Sequence, residues 1–172
     1  MTATFEIGDA TMATPQQVRS RMPLGQLRGF DPAAAAAFRA KLGMTPAQLA
    51  ILTGVSTESI WSWEAGRYSP AAPAAKRLAD ALHVGVAHLT TIAPNQATLT
   101  DLRHWQGFTA GDAADAAGLT KRQIWRLEQY VVAPKPQVRE ALARVYEVSL
   151  EQFDAAWLRG RDEVLGDLGG RA

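Results

Sequence analysis

Apolar positions recur along the chain at spacings of three and four in short runs, each bounded by its own stop signals, which predicts helices rather than strands. Asp31 suits an N-cap and Pro32 the first helical position, where its missing N–H costs nothing, so a first helix is expected over residues 32–42 and ends at Gly43. Thr45-Pro46 repeats that signal for a second helix, which carries Leu49, Ala50 and Leu52 inward and closes at Gly54, where left-handed backbone is cheap. Ser56 caps a third helix with Ile60 and Trp63 on one face, and a fourth follows Pro70 with Leu78, Ala79 and Leu82 at core spacing. A short fifth helix is expected over residues 86–92.

The same pattern occurs twice. Slid against itself by 64 residues, the chain matches without a gap from residues 35–89 onto 99–153, and twelve aligned positions are identical. Among them are Arg39/Arg103, Gly43/Gly107, Gly54/Gly118, Ile60/Ile124, Trp61/Trp125 and Glu64/Glu128. An ungapped register with identities concentrated at glycines and apolar positions marks two copies of one small domain. In the second copy Thr109 caps the second helix with Asp112 at N3, Thr120 caps the third with Gln123 at N3, and a fourth begins near Pro136. The expected organisation is a flexible N-terminal arm over 1–30 with a short helix near 15–22, a domain over 31–92, a linker over 93–98 and a second domain over 99–158. A C-terminal helix extension and tail follow over 159–172. Ser149 caps that final helix, whose Leu150, Phe153, Trp157, Val164 and Leu168 form a stripe suited either to packing on the second copy or to pairing with another chain.

Composition then removes whole chemistries. There is no cysteine, hence no disulfide, thiolate nucleophile or Cys-bearing zinc site. His83, His88 and His104 place no two imidazoles on one helical face, so neither a metal nor a cofactor is expected. No nucleophile–base pair or phosphate loop stands out, which argues against an enzyme. No segment approaches the roughly 18 apolar residues of a membrane span. The first 30 residues have no apolar core of a signal peptide, so a cytoplasmic protein is expected. With 18 Lys+Arg against 17 Asp+Glu the net charge is +1, too small to coat nucleic acid by bulk charge.

Two short helices joined by a glycine-containing turn, the second opened by a Ser or Thr cap, form a helix-turn-helix unit, here over residues 45–64 and again over 109–128. The run Gly-Met-Thr-x-x-x-Leu-Ala (43–50), Gly54-Val55-Ser56, Ile60-x-x-Trp63-Glu64-x-Gly66-Arg67, Pro70 and Leu78-Ala79-x-x-Leu82-x-Val84 resemble the lambda-repressor and Cro, or xenobiotic-response-element, type of helix-turn-helix family. The resemblance spans both copies. It implies an all-α fold of two tandem five-helix domains. It also implies a sequence-specific double-stranded-DNA-binding transcriptional regulator of bacterial or phage origin, a repressor, that lays its third helices in the major groove.

Carried over residue by residue, the base-facing side chains are Thr57, Glu58 and Ser62 in the first copy and Lys121, Arg122 and Arg126 in the second. Ser59, Arg67, Gln123 and Tyr130 complete the DNA-facing set, together with Trp61 and Trp125, which lie just outside the core stripe and suit either DNA stacking or domain packing. Trp63 and Leu127 are assigned to the core. Arg and Lys donate to guanine O6 and N7 and neutralise phosphate, whereas Glu58 only accepts, so the second copy is expected to read the stronger, GC-preferring half of an asymmetric site.

Departures from the family pattern cut the other way. The glutamine that commonly follows the cap of helix 2 is Pro46 in one copy and Ala110 in the other. Tyr130 stands where the first copy has Gly66, so the turn there is expected to take a different backbone path and to bring the phenol to the sugar–phosphate backbone. Arg19, Arg21 and Arg28 of the arm either enter a minor groove or stay disordered. Residues 33–92 carry five basic and three acidic side chains, net +2, and residues 99–158 seven and eight, net −1. In the second copy the cations cluster on the third helix, while Glu140, Glu147, Glu151 and Asp154 follow it. The missing glutamines, Glu58 and the near-neutral total keep a second reading open: a protein-interaction module such as an antitoxin, anti-activator or co-repressor. A homodimer and a protein partner are both compatible with the sequence.

Overall fold

The computed structural model describes residues 25–169. Among them lie nine α-helices: α1 (Pro32–Lys41), α2 (Pro46–Thr53), α3 (Thr57–Glu64), α4 (Ala72–Ala81), α5 (Leu99–Trp105), α6 (Ala110–Ala117), α7 (Lys121–Glu128), α8 (Pro136–Val145) and α9 (Leu150–Gly169). Single 3-10 turns occupy Val86–Leu89 and Pro94–Gln96. The expected fifth helix of the first copy is therefore one 3-10 turn, shorter than residues 86–92, whereas its counterpart in the second copy has grown into the long α9.

Local chemistry accounts for most boundaries. The Asp31 carboxylate accepts from the N–H groups of Ala33 and Ala34, both at 3.0 Å. Reciprocal capping boxes open α2 (Thr45 with Gln48), α5 (Thr98 with Asp101), α6 (Thr109 with Asp112) and α7 (Thr120 with Gln123). Each box satisfies two donors that a helix N-terminus leaves orphaned. Gly54 and Gly118 end α2 and α6 in the left-handed region, each at φ 66°.

Each copy folds around its own core. Leu27, Leu49, Ile60, Leu78 and Leu82 pack together in the first, and Leu99, Ile124, Leu142, Tyr146 and Phe153 in the second. Leu52, expected to point inward, is exposed instead, because the helical period puts Thr53 on the buried face with Leu49 and Ala50. Trp105 packs against both cores, because α5 is wedged between α4 and the Val86–Leu89 turn on one side and α9 on the other. The connection over 93–98 is packed rather than loose. Ala97 and Thr98 are buried, and Arg159 Nε of α9 donates to the Ala97 carbonyl at 2.9 Å.

Residues 25–30 correct the expectation of a free arm. The Leu27 amide donates to the Pro70 carbonyl at 2.9 Å, and isolated β-bridges pair Gln26 with Ala71 and Phe30 with Thr90. Leu27 is buried in the first core. Arg28 is held by the buried Asp101, 3.0 Å from Nε and 2.5 Å from Nη2, and reaches Glu163 of α9 at 3.3 Å. Neither minor-groove insertion nor disorder describes this arginine: its charge already has two carboxylates. Arg19, Arg21 and the helix expected near 15–22 lie outside the described residues.

Candidate nucleic-acid interface

In each copy α2 or α6 packs across α3 or α7, and the second helix of the pair is fixed from below and from its end. Ile60 and Trp63 anchor α3 in the first core, while Ile124 and Leu127 anchor α7 in the second. The ends are held by an ion pair that occurs in both copies. Arg39 of α1 binds Glu64, the last residue of α3, with Nε at 2.6 Å and Nη2 at 2.8 Å, and its Nη1 donates to the Met44 carbonyl at 2.7 Å. Arg103 of α5 repeats this with Glu128 at 2.6 and 2.9 Å and with the Phe108 carbonyl at 2.9 Å. Two parallel N–H···O bonds fix direction as well as distance, so the outward face of each recognition helix is set by a planar fork. The clue in the sequence was that both partners are identical across the repeat, in an otherwise divergent alignment.

That outward face differs between the copies. On α7, Lys121, Arg122, Trp125 and Arg126 are all exposed. The Lys121 stem lies over Gly111 of α6. Hydrogen bonds from Thr109 hold the Asp112 carboxyl below the ordinary carboxylate range, and the Lys121 charge adds to this. On α3, Glu58 is exposed, Thr57 and Ser62 are half-buried, and no cation occurs until Arg67, which is exposed beyond the helix end. Trp61 and Trp125 stand 56% and 58% exposed, so neither fills a core and neither packs the domains together.

Three side chains of the expected DNA-facing set have partners within the fold. The Ser59 hydroxyl lies 2.9 Å from that of Ser56 and is engaged in the cap. The Gln123 side-chain oxygen accepts from the Thr120 amide and hydroxyl at 2.8 and 3.0 Å, which leaves only its NH2 to face outward. Tyr130 is a correction. It takes φ 56°, the same left-handed turn that Gly66 takes at φ 69°, so the backbone path is shared and not different. Its ring meets Trp157 edge-on at 6.3 Å between centroids and lies against Gly160 of α9, where a Cβ would collide with it. Burial pushes its phenol up to about 12, opposed by a hydrogen bond with Thr98. A non-glycine left-handed residue is unfavourable by about 1 kcal/mol. Ring packing offsets that cost and takes Tyr130 away from any phosphate.

The geometry is a helix-turn-helix pair built twice, with exposed cations on one recognition helix only. A family model described as a helix-turn-helix domain matches residues 33–91 and again 97–156. No curated protein and no solved structure matches the chain.

Proposed function

This chain belongs to the helix-turn-helix domain family, twice in tandem, and from that premise we propose that it is a sequence-specific regulator of transcription, a bacterial or phage repressor working in the cytoplasm. It acts by binding, not by catalysis. The observation that carries the reading is α7: three exposed cations and an exposed indole on a helix whose buried face is anchored by Ile124 and Leu127 and whose end is clamped by Arg103. Arg122 and Arg126 suit guanine O6 and N7, Lys121 suits phosphate, and the Trp125 ring suits a sugar or a thymine methyl.

A single module of this size makes few phosphate contacts, and two in one chain supply two half-sites covalently. The α3 face, with Thr57, Glu58 and Ser62, reads the weaker half through acceptors and hydroxyls. Occupying a promoter in this way excludes polymerase. The test is site selection from a random duplex library followed by mobility shift. The expected consensus is asymmetric, with a G-containing half assigned to α7. Replacing Lys121, Arg122 and Arg126 by Ala should abolish most binding and flatten its salt dependence by about one unit of slope for each phosphate no longer neutralised. Undiminished binding by that triple variant would sink the proposal. The cation-free α3 favours, as a second reading, a chain whose first domain binds protein instead of bases. A selected site with only one conserved half would support it.

A further inference from the structure

The two copies serve as internal controls for each other, and at one place they diverge in a way the fold does not need. At the corner between α1 and α2, Leu42, Met44, Gln48, Ile51 and Leu52 line an open groove of about 380 Å³. Ile51 is 81% exposed and Leu52 60%, on the side of α2 opposite the buried Leu49, Ala50 and Thr53. The aligned residues of the second copy are Gln106, Phe108, Asp112, Asp115 and Ala116. The same backbone therefore folds with acids where the first copy exposes Gln48 and Ile51, and the apolar surface is not a requirement of the domain.

The charge around the groove diverges in parallel. Residues 32–57 contain no acid, whereas the aligned residues 96–121 contain Asp101, Asp112 and Asp115. Lys41, exposed beside Leu42, aligns with Trp105, and Arg77 aligns with Ala141. Arg77 is exposed, and its Nε donates to the Thr53 carbonyl at 2.8 Å, which fixes a cation at the C-terminal end of α2 beside Leu52. The apolar floor belongs to the first copy alone: at the matching corner of the second, Ala116 and Ala117 stand in place of Leu52 and Thr53, and the nearby cation is Arg144, which aligns with Asp80.

We propose that this corner docks an amphipathic helix of a partner protein, with apolar side chains seated on Ile51 and Leu52 and acidic flanks facing Lys41 and Arg77. An apolar stripe laid into a groove with complementary charge at its rim is a recurring mode of helix recognition. The surface lies on α2 rather than on the base-facing side of α3, so the first domain can hold a partner without giving up its DNA-facing side. None of the residues given to bases takes part, so docking is independent of how the half-sites are assigned.

The full chain is titrated, by fluorescence anisotropy, with a designed helical peptide bearing Leu at i, i+4 and i+7 and Glu on its flanks. A control peptide keeps the leucines and replaces Glu by Lys. The acidic peptide should bind at least about tenfold more tightly than the basic one, and the difference should shrink as salt rises. Ile51→Asp with Leu52→Ala installs the second copy's own side chains at exposed positions, so folding is preserved, and binding should fall about tenfold or more. Lys41→Ala with Arg77→Ala should remove the preference for the acidic peptide while leaving apolar binding. Retention of a random DNA duplex by the Ile51/Leu52 variant shows that loss of DNA binding and loss of docking are separate. Equal binding of the two peptides, insensitivity to the Ile51/Leu52 exchange, or sedimentation of the free chain as a dimer that this exchange dissolves would each overturn the proposal.

Discussion

Acid should open this protein at His104. The imidazole sits on α5, 4% exposed, in the helix that joins the two domains, and neither ring nitrogen has a hydrogen-bond partner. Burial first and the adjacent Arg103 charge second, opposed by Asp101, bring its pKa from the ordinary 6.5 down to about 4. The unfolded chain thus takes up a proton near pH 6.5, and the folded chain does not until about pH 4. Between those limits the unfolded state binds more protons, so stability falls as pH falls and is unaffected above pH 7. Linkage gives a loss of about 2 kcal/mol at pH 5 and about 3 kcal/mol at pH 4. The assay is urea denaturation at pH 7.5 and pH 5 for the parent and for His104→Leu. The leucine variant should lose about 2 kcal/mol less between the two pH values. It should also match or exceed the parent at pH 7.5, because two unpaired buried nitrogens have been removed. Parallel pH profiles for parent and variant would refute the reasoning.

Other perturbations test the clamps. Glu128→Ala and Arg103→Ala, which break a pair only 11% and 8% exposed, should each cost about 3 kcal/mol, and the double variant clearly less than their sum; additive losses in denaturant titrations would show that the pair does not act as a unit. Gly160→Ala should cost about 2 kcal/mol and change the near-ultraviolet dichroism of Tyr130 and Trp157, while Gly166→Ala, with open space at its Cβ, should be neutral or slightly stabilising. Arg28→Ala leaves the Asp101 carboxylate buried with only Thr98 for a partner, and should cost about 2 kcal/mol and speed hydrogen exchange of the Leu27 amide.

Where stop signals were local, the sequence disclosed the element. Asp31-Pro32, Thr45-Pro46, Thr109 and Thr120 open helices within a residue of expectation, since a cap and its N3 partner are neighbours along the chain. The recognition helices and their exposed cations were legible for the same reason. What escaped was contact between distant segments. Leu27 in the first core, Arg28 on Asp101 and Tyr130 against Trp157 and Gly160 all depend on where α5 and α9 come to lie, and no spacing along the chain encodes that. Tyr130 also misled by type. Tyrosine in a turn suggests an exposed polar end, but burial against α9 outweighs both that tendency and the left-handed backbone it requires. The Arg39–Glu64 and Arg103–Glu128 forks were visible only as unexplained identities in the repeat, because 25 residues separate each pair.

The Arg28 contact has a consequence for how the chain is made. Its two carboxylates lie 73 and 135 residues further along. At 5 to 20 residues per second, the ribosome needs about 4 to 15 s to reach the first of them. Throughout that interval the nascent first domain carries an unneutralised guanidinium and lacks Trp105 over its core. Vectorial synthesis therefore leaves Arg28 without its carboxylates until α5 supplies Asp101, and the second of them arrives only with α9.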